Sequence, residues 1–371
     1  MTPAGADSAD RARMRRALAC ARKGLGRSSP NPAVGAVVVR EGRIVGRGYH
    51  HQAGTPHAEV HALRQAGELA KGASIFVTLE PCNHQGRTPP CTRAILEAGI
   101  SRVVYGASDP NPKAQGGGAF LRSQGLEVLG GVLALECAAE HRFFLTSVSQ
   151  GRPHVILKTA ATLDGRTATR SGDARWVTGP AARQEVYRWR NWCDAICVGS
   201  GTALADDPQL TCRVKGGRDP LRVIVDTHLK LPPTAQVINP ASNACCLIAC
   251  GPNAPARRRA RLEKEGAEVL ALPAGPGGVD LPALLAELHR RGVTSILLEG
   301  GAGLAWGFVA AGLVDEVMYF LAPKLIGGAK APGMIGGAGF DKMAQALALG
   351  PVSVKKFGED FCLSAMVRRP I

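Results

Sequence analysis

Aromatic side chains are scarce, at 5% of the 371 residues, and no basic stretch is studded with them. That scarcity argues against the stacking platforms on which proteins hold single-stranded nucleic acid. Long apolar runs are missing as well. None approaches about 18 residues, so no membrane-spanning helix is expected. The opening segment, MTPAGADSADRARMRRALAC, lacks the continuous apolar core of a secretory signal. Regular cysteine spacing is also absent. The count of 11 is odd, and Cys197, Cys245, Cys246 and Cys250 sit in apolar runs, where they resemble small core residues rather than a disulfide framework. A reducing compartment, the cytoplasm, is the expectation. No internal repeat links the two halves, so they are expected to do different work.

The chain does have ample core-forming material, with 45% hydrophobic residues, and is longer than one typical domain, so two are expected. Its 45 Lys and Arg against 30 Asp and Glu give +15. Such an excess fits nucleic acid, phosphorylated substrates or the habit of one proteome. The only dense runs, RARMRR (Arg11 to Arg16) and RRRAR (Arg257 to Arg261), carry helical periodicity and read as solvated helix faces.

Both halves alternate helical and extended patterns, which is the signature of α/β domains. Helical spacing covers Ser8 to Lys23, Ala58 to Ala70, Thr92 to Ala98 and Leu133 to Thr146. VGAVVVR and RIVGRGY form a strand pair turning at Glu41-Gly42, and Ser74 to Leu79 and Arg102 to Gly106 are further strands. SVSQGRP, Ser147 to Pro153, has a linker's composition, which places domains at 1–150 and 151–371. Beyond it come the strand HVILKTAAT, a helix near Pro180 to Trp192, and strands at AICVG, LRVIVD and CCLIAC. A helix at Leu281 to Arg291 and SILLEGG leading into another helix complete the pattern.

The most informative stretch runs from His57 to Cys91, HAEVHALRQAGELAKGASIFVTLEPCNHQGRTPPC. A catalytic zinc takes three protein ligands and keeps a fourth position for water, whose pKa it lowers. His57, Cys82 and Cys91 can supply that set. Glu59, two residues after the histidine, stands where zinc-dependent deaminases keep a carboxylate that moves protons without binding the metal. His57 and Glu59 open a helix and Cys82 follows a strand, so they can converge on one cleft. Eight residues separate Cys82 from Cys91, where the general signature has two. His61, one helical turn beyond His57, is expected to be structural or to lie behind the ligands. Asn31, in SSPNPAVGA, is either a substrate contact or a turn residue.

These segments, PNPAVGAVVV, GYHHQAGTPHAEVHAL, VTLEPCNHQGRTPPC and DPNP, resemble the N-terminal deaminase domain of the bifunctional riboflavin-biosynthesis deaminase/reductases, long cysteine spacing included. KTAATLDGRTA, SGDARWVT, ADDPQLTCR, VIVDT and LLEGGAGLAWGFVAAGLVDEVMYFLAPKLIGG are similar to that family's C-terminal reductase. The resemblance implies a cytidine-deaminase-like domain followed by a dihydrofolate-reductase-like one, with one Zn²⁺ per chain and NADPH. It implies zinc on His57, Cys82 and Cys91, Glu59 as proton carrier, and pyrimidine or phosphoribosyl contacts at Asn31, His50, His84 and Asn111. In the second half it implies cofactor contacts at Ala161, Trp176, Thr202, Asp206, Thr227, Gly301, Ala302 and Gly303. Substrate contacts fall at Lys158, Leu210, Arg213 and Glu299. Ala174 departs from the family, which often has a serine there.

Read without the family, EGGAG (Glu299 to Gly303) is the strongest local signal of the second half. It sits between an apolar strand and a helix, where backbone N–H groups suit a phosphate. It misses GxGxxG because Trp306 stands where the third glycine would fall. Where the resemblance places Arg213, a guanidinium can grip a phosphomonoester in two places; no 2′-phosphate pocket stands out from the residues, and Arg183, Arg222 or others could serve.

The implied reaction is hydrolytic deamination of 2,5-diamino-6-(5-phosphoribosylamino)pyrimidin-4-one, then reduction of its ribosyl group to ribityl. The expected partner is therefore a small phosphorylated pyrimidine, with no nucleic acid and no membrane; a homo-oligomer stays open. A deaminase of RNA bases would need a basic, stacking-competent surface that the sequence lacks. A purely structural zinc would need a fourth ligand, for which His84 is the candidate, and would have no use for Glu59.

Overall fold

The computed structural model describes residues 7–238 and 244–368, so the outer ends of the two expected domain ranges, 1–6 and 369–371, fall outside it. The chain divides into two compact units, the first ending at Arg152 and the second beginning at Pro153. Among the described residues, no helix is long and apolar enough to cross a membrane.

In the first unit, α1 (Ser8–Ala21) begins at Asp7, whose carboxylate accepts the Asp10 N–H at 2.6 Å. Met14, Ala17 and Leu18 are buried while Arg15 and Arg16 stay in solvent, as the helical reading of RARMRR requires. Strands β1 (Gly35–Arg40) and β2 (Arg43–Tyr49) form an antiparallel hairpin around Glu41 and Gly42. With β3 (Ser74–Leu79), β4 (Arg102–Ala107) and β5 (Glu127–Leu129) they make a sheet in the order β2-β1-β3-β4-β5, of which the last three strands are parallel. Alternation sorts the core. Ala36 and Val38 pack with Ala58 and Ala62 of α2 (Ala58–Ala66), Ile95 of α3 (Cys91–Glu97) and Leu121 of α4 (Gly117–Ser123). Val37 and Val39 pack on the other face with Met14, Ala17 and Cys137 of α5 (Ala134–Glu140).

Close backbone contact fixes α2. A Cβ at Gly46 would lie 2.1 Å from the Ala62 carbonyl oxygen, and one at Gly48 would lie 2.0 Å from that of Ala58. Only glycine at those two positions lets α2 lie on β2, and that contact sets where the helix begins.

The sequence pattern differs from the structure at several points. The helix expected over Leu133 to Thr146 is two, α5 and α6 (Arg142–Gln150), parted at His141. The His141 ring is pulled into the core, its Nε2 3.0 Å from Thr78 Oγ1. The expected linker is in part helical, since Ser147 to Gln150 complete α6. Helix α4 opens on two glycines and β5 has only three residues, so neither carries a usable periodic signal.

The second unit is built on a nine-stranded sheet. Its strands are β6 (His154–Thr162), β7 (Ala195–Gly199), β8 (Leu221–Val225), β9 (Cys246–Cys250), β10 (Glu268–Ala271), β13 (Ser295–Leu298), β14 (Glu316–Ala322), β15 (Ser353–Phe357) and β16 (Asp360–Met366). They lie in the order β10-β9-β8-β7-β13-β6-β14-β16-β15, and the first seven run parallel. A ribbon of β11 (Ala274–Gly275) and β12 (Gly278–Val279) is separate. The central strands read as continuous apolar runs because helices cover both faces. Val155, Leu157, Cys197 and Leu298 pack with α10 (Leu281–Arg290) and α11 (Ala302–Ala310). Ile196, Val198, Ile224 and Ile248 pack with Ala203 of α8 (Ser200–Asp206) and Leu262 of α9 (Ala256–Lys264). α7 is Pro180–Trp192. All eleven cysteines are free thiols, but Cys245, expected in the core, is exposed, because it precedes β9, whose residues Cys246–Cys250 are all buried.

One ion pair ties α1 to the sheet of its own unit. Asp10, 2% exposed, takes both guanidinium nitrogens of Arg102 at 2.9 and 2.8 Å, and this contact outweighs burial to hold its carboxyl below the usual range. Removing one partner of such a pair leaves a charge without compensation. Arg102→Ala is therefore expected to lower the unfolding free energy by about 3 kcal/mol, read as a lower urea midpoint at pH 7.

Candidate active sites

In the first unit, chain direction brings the chemistry together. Strand β3 ends at Leu79 and leads through Glu80 and Pro81 into Cys82. α2 begins immediately after His57 and α3 begins at Cys91. His57 Nδ1 lies 3.1 Å from Cys91 Sγ and 3.6 Å from Cys82 Sγ, and the three donor atoms all fall within 4.8 Å of one another. Zinc bonds of about 2.0–2.3 Å at tetrahedral angles need donors separated by roughly 3.5 Å, so the set fits. Among the described residues it is the one His, Cys, Asp or Glu group of this kind.

The electrostatics suit a cation. Hydrogen bonding with Cys91 outweighs burial, and His57 adds to it, pulling the Cys82 thiol down to about 4. Cys91 is pushed up by the same contact with Cys82 and by burial. The pair thus shares a proton, and one thiolate is present at neutral pH. Contact with Cys82 raises His57 despite its burial. Glu59 is 3% exposed, burial raises its carboxyl, and its Oε2 has no hydrogen-bond partner. An unpartnered buried oxygen beside three soft donors matches the chemistry of a proton carrier next to a metal.

A cavity of about 320 Å³ opens on this centre, and Asn31, His50, His84 and Asn111 line it together with His57, Glu59 and Cys82. Burial lowers the His50 imidazole to about 4, so it is neutral at pH 7. Its Nδ1 then donates to the Pro56 carbonyl at 3.2 Å and its Nε2 accepts from Asn31 Nδ2 at 3.1 Å. Asn31 is thereby held at the cavity wall. His61 turns away, stacked on His51 with ring centroids 4.2 Å apart. His84 lines the cavity without joining the donor cluster. Sequence reasoning missed Thr88, whose hydroxyl stands 3.4 Å from His57 Nε2, on the ring edge opposite the sulfurs. It also missed Glu80 and Asp109 in the same wall. Threonine and carboxylates are too common for spacing alone to mark them.

The second unit holds a cavity of about 1060 Å³, large enough for a dinucleotide and a substrate together. Lys158, Thr202, Asp206, Leu210, Thr227, Glu299 and the loop Gly301 to Gly303 line it, and so does Ala174. Three expected contacts do not reach its wall. Ala161 is fully buried because β6 alternates and its neighbour Ala160 takes the cavity side. Trp176 is 60% exposed, with the Arg183 guanidinium 4.4 Å from its ring centre. Arg213 is exposed and donates from Nη1 to the Tyr187 hydroxyl at 3.2 Å. Arg222, considered for a phosphate, is fully buried on β8 and bonds the Ala244 and Cys245 carbonyls.

Arg190 was not anticipated, one arginine among many in α7. Its Nε and Nη2 grip both carboxylate oxygens of Glu299 at 2.9 and 3.0 Å, and Lys158 Nζ adds a contact at 3.3 Å. Burial pushes the Glu299 carboxyl up, yet the Arg190 and Lys158 charges outweigh it and hold it at about 2. The cavity floor is therefore a fixed carboxylate carrying two cations.

A metal-ready deaminase centre in one α/β unit and a dinucleotide-sized cavity in another define a deaminase joined to a reductase. The family description "Cytidine and deoxycytidylate deaminase zinc-binding region" matches residues 7–107, and "RibD C-terminal domain" matches residues 153–363. The chain is 42% identical to the riboflavin biosynthesis protein RibD of Bacillus amyloliquefaciens, over 95% of each chain. It is 40% identical to that of Escherichia coli, over 94% of this chain and 97% of the other. The structure is similar to Acinetobacter baumannii RibD, with TM-score 0.84, 39% identity and 97% and 99% of the two chains covered. It is equally similar to a Thermotoga maritima diaminohydroxyphosphoribosylaminopyrimidine deaminase/5-amino-6-(5-phosphoribosylamino)uracil reductase, with TM-score 0.84, 36% identity and the same coverage. The chain belongs to the RibD family, the bifunctional deaminase/reductases of riboflavin biosynthesis.

The Glu299 cluster gives a pH-dependent expectation. A carboxyl held near 2, against 4.5 when unfolded, stabilises the fold fully above pH 4.5 and loses that contribution as pH falls toward 2. Arg190→Met should cost about 3 kcal/mol at pH 7. Chemical denaturation across pH should show the gap to the parent protein narrowing below pH 4.5.

Proposed function

We propose that His57, Cys82 and Cys91 hold one zinc ion per chain, with Glu59 moving the protons, and that the cavity of the second unit binds NADPH beside the ribosyl phosphate. The first unit carries the deaminase and the second the reductase. The observation that carries the reading is the convergence of three soft donors on a buried carboxylate with a free oxygen. A structural zinc would close its shell with a fourth His or Cys, and the neighbouring His84 stands outside the cluster.

The substrate is 2,5-diamino-6-(5-phosphoribosylamino)pyrimidin-4-one. Bound zinc supplies an activated water for attack at the amine-bearing C2. Glu59 takes the proton from that water and delivers one to the departing amine, which leaves as ammonia. Asn31, held by neutral His50, and Asn111 orient the pyrimidine, and His84 meets the phosphoribosyl arm. The cavity excludes bulk water from the reacting carbon.

NADPH bound in the second unit would supply the hydride for C1′ of the ring-opened ribosyl group, with the accompanying proton coming from water, to give 5-amino-6-(5-phosphoribitylamino)uracil. Gly301 to Gly303, at the start of α11, leave backbone N–H groups for the cofactor's diphosphate, and Thr202, Asp206 and Thr227 line its path. Lys158 and Glu299 orient the sugar, with Arg190 fixing the carboxylate between them. Leu210 lines the substrate end, whereas Ala161, Trp176 and Arg213, for which the resemblance implies contacts, stand away from the cavity wall and are given no role there. Ala174 offers no hydroxyl to the substrate at its point of the wall. The eleven free thiols support a cytoplasmic location.

Ammonia release and NADPH oxidation, followed on one sample with its zinc content, test the scheme. Glu59→Gln should lower ammonia release by about 10²-fold or more while zinc content and reduction of the uracil intermediate stay at parent levels. Loss of both activities together would count against two separate sites.

A further inference from the structure

Gly35, Thr78 and His141 are buried and meet behind the wall of the deaminase cavity without lining it. The β1–β3 ladder ends with Ala36 opposite Val77. Beyond it a side chain replaces the backbone pairing, for Thr78 Oγ1 accepts the Gly35 N–H at 3.1 Å. His141 completes the group, with Nε2 3.0 Å from the same oxygen. Its Nδ1 is buried without a partner, so the one N–H of a neutral ring belongs at Nε2, where it donates to Thr78. Burial lowers this imidazole to about 4, and the ring is neutral at pH 7.

Each of the three is carried into the cavity wall by its own stretch of chain. Pro32 and Val34 precede Gly35, Leu79, Glu80 and Cys82 follow Thr78, and Phe144 stands about one turn of α6 beyond His141; all of them line the cavity. The Val34 carbonyl also accepts the His50 N–H at 2.9 Å, and His50 in turn holds Asn31. His141 serves two helices. Its N–H donates to the Cys137 carbonyl at 3.0 Å, ending α5, and its carbonyl accepts the Leu145 N–H at 2.9 Å, starting α6. Pinning its ring to Thr78 therefore fixes the parting ends of β1 and β3 and the direction in which α6 leaves. Phe144, half-buried on α6, is the one phenyl ring in the cavity lining. A phenyl face suits a flat heteroaromatic ring, which it meets in offset stacking or edge to face.

We propose that Phe144 is the apolar face against which the pyrimidine lies, and that His141, acting through Thr78, is the positioning residue that fixes it. The proposal rests on the reading of this cavity as the deaminase site.

Ammonia release by the zinc-loaded full chain, with KM and kcat separated, tests it, and reduction of the uracil intermediate by the same samples is the internal control. His141→Leu should lower deaminase kcat/KM about tenfold, chiefly through KM, and His141→Gln, which keeps an N–H donor of similar reach, should stay within about twofold of the parent. Phe144→Leu should raise KM about three- to tenfold. The double variant should lose less than the product of the two single losses, because both act on one contact. Zinc content, circular dichroism and the reductase rate should stay at parent levels throughout. An unchanged KM in Phe144→Leu overturns the proposal, and so does a His141→Leu loss that falls equally on both activities or multiplies fully with that of Phe144→Leu. Where His141→Leu does not fold, Phe144→Leu and His141→Gln decide in the same way. Parent protein that releases no ammonia overturns the reading of the cavity as well, whereas a working parent whose KM the variants leave untouched overturns this proposal alone.

Discussion

The deaminase centre depends on how closely helix α2 lies on strand β2. Gly46 and Gly48 bring the Ala62 and Ala58 carbonyls nearer to the strand than any side chain would allow. That contact sets the position of His57 at the head of the helix. Cys82 and Cys91 reach the same point from β3 and from the head of α3, because parallel strands end on one side of a sheet. The three candidate donors are thus presented at the ends of regular elements, and the loop between the cysteines is spared the task of placing them. The extra residues of that loop instead bring Thr88 to the far edge of the His57 ring and His84 to the cavity wall.

The second unit solves a different problem, that of keeping a carboxylate ionised in a buried place. Glu299 follows a fully buried strand, where burial by itself pushes its carboxyl up. Arg190 and Lys158 come from α7 and β6, and their joint charge keeps it anionic. A carboxylate fixed in this way holds two cations in place beside the cavity, and side chains held by such pairing lose little freedom when a ligand arrives.

The α/β character of both units was legible because apolar alternation and helical spacing are strong over β1, β3, β6, β9 and α10. It failed where local signal and tertiary demand part company. One helix became two because His141 is drawn into the core beside Thr78, and α4 is a helix in spite of its opening glycines. Cys245 lies in an apolar run and is exposed, since one residue before a strand begins, composition no longer tells inside from outside.

At the sites the division is similar. The residues HAE, PC and the later cysteine marked by themselves three candidate metal donors with a carboxylate beside them, and the fold brings those three donors together. EGGAG marked a helix start, which the structure places after Gly301. What sequence could not decide is which of 45 cationic side chains meet which anion. Arg190, Lys230 and Arg222 are equivalent as letters. The fold places the first on a buried carboxylate, the second exposed in the turn after β8, and the third against backbone carbonyls in the core. The physical reason is that a long charged side chain takes its role from the dielectric and the partners within a few ångströms of its tip, and those are supplied by residues distant in the chain.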